Sequence, residues 1–129
     1  MNPLDIIAKY YPVGSEAYRI LVIHSRSVAD KALAIARMHP EMNLDLTFVE
    51  EAAMLHDIGI FRCNAPDIDC HGDAEYICHG YLGAELMRAE GYPRHARFDE
   101  ENNLATAELM NEVCLFRTGT LCRKPWKNN

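Results

Sequence analysis

One segment, running from Ser15 to about Met38, limits the possible folds more than any other part of the sequence. Its apolar residues recur mostly at steps of three or four residues or their sum, at Ala17, Ile20, Leu21, Val28, Ala32 and Ile35. This spacing places them on one face of an α-helix. Ser15 can cap the start of the helix, and His39 ends it because the residue before a proline is disfavoured in the helical conformation. The segment therefore predicts a long amphipathic helix with His24 on its buried face.

Four further segments carry helix signals, and nowhere is there a convincing alternating or β-branched run typical of a strand. The predicted helices are a short one over residues 4–8 after Asn2 and Pro3, one that Asp45 caps and that ends near Gly59, one from His79 or Gly80 to Glu90, and one over part of residues 100–116. Residues 61–77 have neither period and are predicted to form a loop of functional length. We predict an all-α fold, in which residues 1–129 form a single domain with a bundle of about five to six helices.

Composition narrows the classes of partner and the compartment. The net charge is −6, which argues against a long nucleic acid as partner because such binding needs a basic surface. A small anionic substrate stays possible, since a bound cation and one or two arginines can reverse the local field. No apolar run reaches the ~20 residues that span a bilayer and no signal peptide is visible, so we expect a cytoplasmic protein without membrane contact. The five cysteines are an odd number, which favours reduced thiols over disulfides.

The end of the third helix carries the most informative pair, His56 and Asp57. Val49, Ala52, Ala53 and His56 share one helix face. Gly59 is expected to provide a left-handed exit, which places the pair at the C-terminal end of the helix. Two imidazole nitrogens, from His24 and His56, and one carboxylate oxygen suit a first-row divalent cation. Taken singly, each of the three has a structural alternative: a satisfied core histidine, a helix-dipole partner and a surface acid.

Three strings resemble the HD-domain superfamily of metal-dependent phosphohydrolases. Residues 52–59 (AAMLHDIG) resemble the signature helix, residues 24–29 (HSRSVA) resemble the segment of the first histidine, and residues 78–86 (CHGYLGAEL) resemble the segment of a later histidine. The resemblance covers residues 1–96 as the HD core and leaves residues 97–129 as a divergent tail. It implies that His24, His56 and Asp57 ligate a divalent cation, which could be Fe, Mn, Zn, Co, Ni or Mg. His79 would join a second ion or contact the substrate phosphate, so Asp57 and His79 are the predicted catalytic residues.

The chemistry that the resemblance implies is hydrolysis of a phosphomonoester or phosphoanhydride. In that chemistry the cation lowers the pKa of a water molecule and polarises the phosphoryl oxygen. The small phosphorylated substrate is expected to be a nucleotide, by analogy with the small bacterial members. A guanidinium matches phosphate oxygens, so Arg26, Arg62 and Arg94 are predicted substrate contacts. His95 is predicted as a further metal ligand or a group that supports one, and the alternative is an ordinary loop residue.

The match breaks after residue 96, where the family's closing aspartate and the histidine that often precedes it are not recognisable. Asp99, Glu100 or water could fill the place, or the chain is a shortened or altered form of a longer hydrolase. A shortened form would leave apolar surface uncovered, and we expect a homodimer to bury it. The alternative function is a catalytically silent HD-like domain that binds a metal, a nucleotide or a protein partner.

A second, weaker metal pattern lies in the loop before the fourth helix. Its possible zinc ligands are Cys63, Cys70, His71, Cys78 and His79. The cysteines stand seven and eight residues apart, whereas zinc modules bring their ligands in close pairs. Buried free thiols are therefore the favoured interpretation.

Overall fold

The structure, a computed structural model, describes residues 1–101 and contains five α-helices in that part of the chain. They are α1 (Pro3–Tyr10), α2 (Glu16–Met38), α3 (Leu46–Leu55), α4 (His79–Ala89) and α5 (Pro93–Glu101). Short 3₁₀ turns cover Pro40–Met42, Ile58–Arg62, Pro66–Ile68 and Tyr76–Cys78. The predicted all-α fold is confirmed.

The caps predicted from the sequence are present. The side chain of Asn2 accepts a hydrogen bond from the Leu4 amide at 3.0 Å, and Ser15 accepts one from Tyr18 at 3.1 Å. Asp45 accepts one from the Phe48 amide at 3.2 Å. Each bond satisfies one of the amides that a helix start leaves without an intrahelical partner. These local signals therefore fix where α1, α2 and α3 begin.

The core lies where α2 packs against α3 and where α4 packs against α5. The predicted stripe of α2 is buried at Ala17, Leu21, Val28, Ala32 and Ile35. The buried end of α1 closes one side of the core through Tyr11, whose hydroxyl donates to the Ile58 carbonyl at 2.7 Å. The same hydroxyl accepts from the Phe61 amide at 2.9 Å. These two bonds tie the end of α1 to the turn that follows α3.

The predicted left-handed exit at Gly59 is wrong. Of the described glycines only Gly14 and Gly91 have a positive φ, and the chain after Asp57 continues as a 3₁₀ turn. A glycine is needed for a different reason: a Cβ at Gly59 would lie 2.2 Å from the His79 carbonyl oxygen and 2.5 Å from the Gly83 amide nitrogen. The turn thus packs directly on the backbone of α4. This contact brings the start of α4 next to the end of α3.

The loop between α3 and α4 is more regular than the sequence predicted. It holds two two-residue strands, β1 (Asn64–Ala65) and β2 (Cys70–His71), which pair antiparallel. Strands this short carry no periodic signal, because alternation needs at least four residues.

The chain after α4 differs more from the prediction. Gly91, with a φ of 91°, ends α4 as predicted, but α5 begins at once with Pro93 in its first turn. Proline is favoured at that position because the first helical amide lacks an intrahelical partner. From the sequence alone Pro93 is predicted to stop α4, so α5 was not predicted. The predicted last helix over part of 100–116 and most of the divergent tail, with Cys114 and Cys122, lie outside the described residues.

Candidate metal centre

Three histidines from different parts of the fold surround the carboxylate of Asp57. His24 from α2 and His56 from the end of α3 each place Nε2 at 3.1 Å from Asp57 Oδ2. His79, the first residue of α4, places its Nε2 at 3.2 Å from the other oxygen, Oδ1. The structure therefore brings together four of the residues that the sequence singled out.

Backbone carbonyls orient two of the three rings. His56 Nδ1 lies 2.6 Å from the Ala53 carbonyl oxygen, and His79 Nδ1 lies 2.7 Å from the Tyr76 carbonyl oxygen. A carbonyl can only accept, so each Nδ1 carries a proton and donates it. Nε2 is then the nitrogen that faces the carboxylate: it donates to Asp57 when it carries a second proton, and its lone pair can bind a cation when it does not. Metal-ligating histidines in proteins are usually held by such a bond on the far nitrogen.

Electrostatics keep Asp57 ionised. Burial acts to raise the pKa of this carboxyl, but the charge of His56 and the hydrogen bonds from the three imidazoles outweigh burial and hold the pKa well below its usual value. Burial acts to lower the pKa of His79, whereas the hydrogen bond and charge of Asp57 raise it; the net pKa is raised. The centre therefore offers an anionic oxygen at neutral pH.

The donor set fits a divalent cation. A ring nitrogen of His24, a ring nitrogen of His56 and a carboxylate oxygen of Asp57 lie within 4.8 Å of one another. Two nitrogens and one oxygen suit zinc and the neighbouring first-row cations, which bind at about 2.0–2.2 Å. His56 and Asp57 are buried, while 29% of the His24 side chain is exposed. The group is thus enclosed by the protein on one side and accessible beside His24.

Asp99 on α5 supplies a further buried carboxylate near this group. The residue is 1% exposed, and its Oδ2 has no hydrogen-bond partner in the described part of the chain. Burial raises the pKa of Asp99 well above its usual value; the charge of His56 opposes this rise and that of Asp57 adds to it. An orphaned buried oxygen is a spare donor atom. That Asp99 takes the place of the family's closing aspartate therefore stays a prediction. The side chain of Glu100, the other predicted substitute, lies outside the described part of the chain.

His95 does not join the histidines around Asp57. Its Nε2 lies 2.8 Å from Glu51 Oε1, and its ring centroid lies 4.8 Å from that of Phe48. The ring therefore lies in the contact between α3 and α5.

The three arginines proposed for the phosphate are paired elsewhere. Arg26 Nη2 lies 2.8 Å from Glu50, and Arg62 Nη1 lies 3.6 Å from Glu85. Arg94 bonds to Asp45 at 3.2 Å and stacks over the Phe48 ring. None of the three lines the cavity that adjoins Asp57.

That cavity has a volume of about 240 Å³. Its lining consists of Tyr11, Ala17, Ile20, Leu21, His24, Asp57, Ile60, Ile68, Cys70 and Tyr76. The α2 positions of this set are predicted from the sequence to lie in the core, because helical periodicity marks an inward face without showing whether a neighbour fills the space against it. Only the assembled fold reveals the cavity.

The described cysteines are free thiols, as favoured from the sequence. Cys63 and Cys70 are buried, and burial raises the pKa of both thiols. The sulfur of Cys63 lies 3.4 Å from the Glu75 carbonyl oxygen, and that of Cys70 lies 3.7 Å from the Ile68 carbonyl oxygen. Within residues 1–101 the group with metal-binding geometry contains histidine and aspartate and no cysteine.

Comparison with known proteins agrees with this arrangement. The sequence model described as HD domain matches residues 21–115. A tRNA (cytidine(56)-2'-O)-methyltransferase from Thermoplasma volcanium is 34% identical over 88 residues, which are 68% of this chain and 20% of that protein. The chain thus spans about a fifth of the length of the curated relative. No solved structure matches the chain. In the described residues, no helix is both long enough and apolar enough to cross a membrane.

Proposed function

We propose that this chain, which belongs to the HD domain family, is a metal-dependent phosphohydrolase that cleaves a phosphomonoester or a phosphoanhydride. The observation that carries the proposal is the convergence of three imidazole Nε2 atoms on the Asp57 carboxylate, 3.1–3.2 Å away. Such a cluster is costly to bury unless it holds a cation or pairs fully.

Each of the four residues of the centre has its own proposed role. His24, His56 and Asp57 would hold a divalent cation, which supplies Lewis-acid polarisation of the phosphoryl oxygen and activation of water. Asp57 contributes the negative charge, and the carbonyl of Ala53 keeps His56 turned towards it. His79 holds Asp57 through Oδ1 and would join a second ion or contact the phosphate, as the resemblance implies.

The reaction balances without a further reactant. Oxygen from water forms a new bond to phosphorus, the bond from phosphorus to the leaving oxygen breaks, and the leaving oxygen takes up a proton. The products are an alcohol and inorganic phosphate from a monoester, or two phosphates from an anhydride.

Elemental analysis and a phosphatase assay test the proposal. Wild type would be compared with His56→Ala and Asp57→Asn, with and without added Mn, Co, Ni and Mg. His71→Ala is the matched control, because His71 also pairs with an aspartate, Asp69 at 2.9 Å, but on the exposed surface. We expect bound metal and turnover in wild type and the control, and loss of both in the two centre variants. No metal under any loading condition would overturn the proposal.

A second candidate is a silent HD-like domain that binds a metal, a nucleotide or a protein partner. The observation in its favour is that Arg26, Arg62 and Arg94 all pair with carboxylates away from the centre. In the experiment above, stoichiometric metal without turnover would favour it. A homodimer also stays a proposal, which sedimentation of the full chain would test.

A further inference from the structure

The cavity beside the metal centre suggests the class of substrate, and the inference rests on the function proposed above. Its polar end consists of His24 and Asp57. Away from that end, α2 contributes Ala17, Ile20 and Leu21 as one wall. A phosphoryl group that reaches the centre from this side must leave the rest of its molecule in the cavity.

The opposite walls are also apolar. Ile60 and Ile68 come from the turns after α3, and two aromatic rings, Tyr11 and Tyr76, also line the space. The hydroxyl of Tyr11 is already used, because it donates to Ile58 and accepts from Phe61. In the part of the chain that the structure describes, no lysine or arginine lines this space.

This apolar lining favours hydrocarbon groups over polar groups, because the two differ in what they lose when they leave water. A sugar hydroxyl, a base edge or a second phosphate would lose its water there, and a buried polar group without a partner is costly. A hydrocarbon group would instead gain from leaving water, by about fourfold in binding for each methylene. The volume, about 240 Å³, exceeds the roughly 150 Å³ of an apolar cavity that binds benzene. There is room for a substituted ring or a short alkyl chain.

We propose that the substrate is a phosphomonoester of an uncharged, apolar alcohol, either a phenol or an alkyl alcohol of about six to eight carbons. The phosphoryl group lies at His24 and Asp57, and the hydrocarbon fills the space between α2 and the turns after α3. A nucleotide is the competing substrate class, and the same experiment distinguishes the two.

The test uses the full chain loaded with the metal that elemental analysis finds. Calorimetry would measure the dissociation constants of methyl-, butyl-, hexyl- and phenylphosphonate, which bind without being hydrolysed, and of ribose 5-phosphate. The assay would follow phosphate release from the matching alkyl and phenyl phosphates and from a nucleoside 5′-monophosphate. We expect hexylphosphonate to bind about fifteenfold tighter than butylphosphonate, from two methylenes at about fourfold each.

A pair of variants locates the hydrocarbon. Ile20→Lys places a charge in the α2 wall, whereas Ile23→Lys places it on the outer face of the same helix, where Ile23 is 59% exposed. We expect Ile20→Lys to reduce the preference for hexyl- over methylphosphonate by tenfold or more and Ile23→Lys to leave it unchanged. An equal preference in wild type and both variants would overturn the proposal and mark the space as a packing cavity only.

The outcomes separate this proposal from the phosphohydrolase function. Chain-length preference in binding with no turnover of any ester would support the apolar binding site and refute hydrolysis. Turnover without chain-length preference, or tighter binding of ribose 5-phosphate than of butylphosphonate, would leave hydrolysis standing and overturn the apolar substrate class. Neither preference nor turnover would overturn both.

Discussion

Gly59 is the position where one methyl group tests both the fold and the metal centre. The nearest atoms to an added Cβ are the His79 carbonyl oxygen at 2.2 Å and the Gly83 amide nitrogen at 2.5 Å. Both belong to the backbone of α4, so no side-chain rotation relieves the clash. Contacts under 3.0 Å are essentially never seen for a real Cβ, so the turn and the helix must separate by roughly 1 Å. Overpacking of this kind typically costs 1–3 kcal/mol, and backbone on two sides favours the upper end.

We therefore expect Gly59→Ala to lower the free energy of unfolding by about 3 kcal/mol, or the melting temperature by roughly 10 °C for a chain of this size. The same displacement moves His79 away from Asp57, because His79 is the residue whose carbonyl must yield. Changes in the groups that support metal ligands typically weaken affinity by about 10–100-fold. Metal affinity should fall by about tenfold.

Gly91→Ala is the matched control. Its φ of 91° strains an alanine, but nothing lies within 4 Å of the added Cβ. We expect a loss of about 1 kcal/mol from backbone strain alone and an unchanged metal affinity. Urea denaturation and metal titration of both variants would measure the difference. If the two variants lose equal stability and bind metal equally well, the contact between the turn and α4 is not the one described.

Three further predictions follow from single buried groups. Burial raises the pKa of Asp99, so the folded protein keeps a proton on this carboxyl that the unfolded chain releases above pH about 4. The free energy of unfolding of wild type should therefore fall with rising pH relative to that of Asp99→Asn, by up to about 1.4 kcal/mol per pH unit. Denaturation of both chains in EDTA from pH 4 to 7 would measure this, and a constant difference would contradict it. Tyr11→Phe leaves the Ile58 carbonyl and the Phe61 amide without a partner and should cost about 2 kcal/mol in urea denaturation; a loss below 0.5 kcal/mol would refute the two bonds. Metal at 100 times its dissociation constant should stabilise wild type by about 2.7 kcal/mol in thermal unfolding and His56→Ala hardly at all, so equal stabilisation would place the ion elsewhere.

Local chemistry explains which parts of the fold the sequence predicted well. A cap is decided by one side chain and an amide two or three residues away, so Ser15 and Asp45 could be assigned without tertiary contacts. Proline has two opposite roles at helix ends, and Pro93 was given the wrong one because Gly91 had just ended α4. Whether a proline closes one helix or opens the next depends on where the following segment packs.

The residues of the candidate site also fall into those that the sequence could predict and those that it could not. His24, His56 and Asp57 were found from helix face and donor type together with the family resemblance, and His79 from the resemblance; the fold brings all four together. His95 and the three arginines were chosen by residue type, with Arg26 also chosen for its place two residues after His24, and a nearby carboxylate can pair with a histidine or an arginine as readily as a metal or a phosphate can. Glu51, Glu50, Glu85 and Asp45 are those carboxylates. Pairing of this kind depends on which helix faces meet, which residue type does not encode.

The role of Gly59 shows how a local error can leave the site prediction intact. A left-handed exit and a close approach to α4 both require glycine, so the residue alone cannot separate them. Only the close approach also fixes His79, because it presses the turn after Asp57 onto the first turns of α4. Gly83 faces Gly59 across the contact, with its own Cβ position 3.3 Å from the Gly59 nitrogen. Gly59 and Gly83, 24 residues apart, together allow the turn after Asp57 and α4 to approach through their backbones. This contact places His79, the fourth residue of the centre, beside Asp57, and neither glycine alone predicts it.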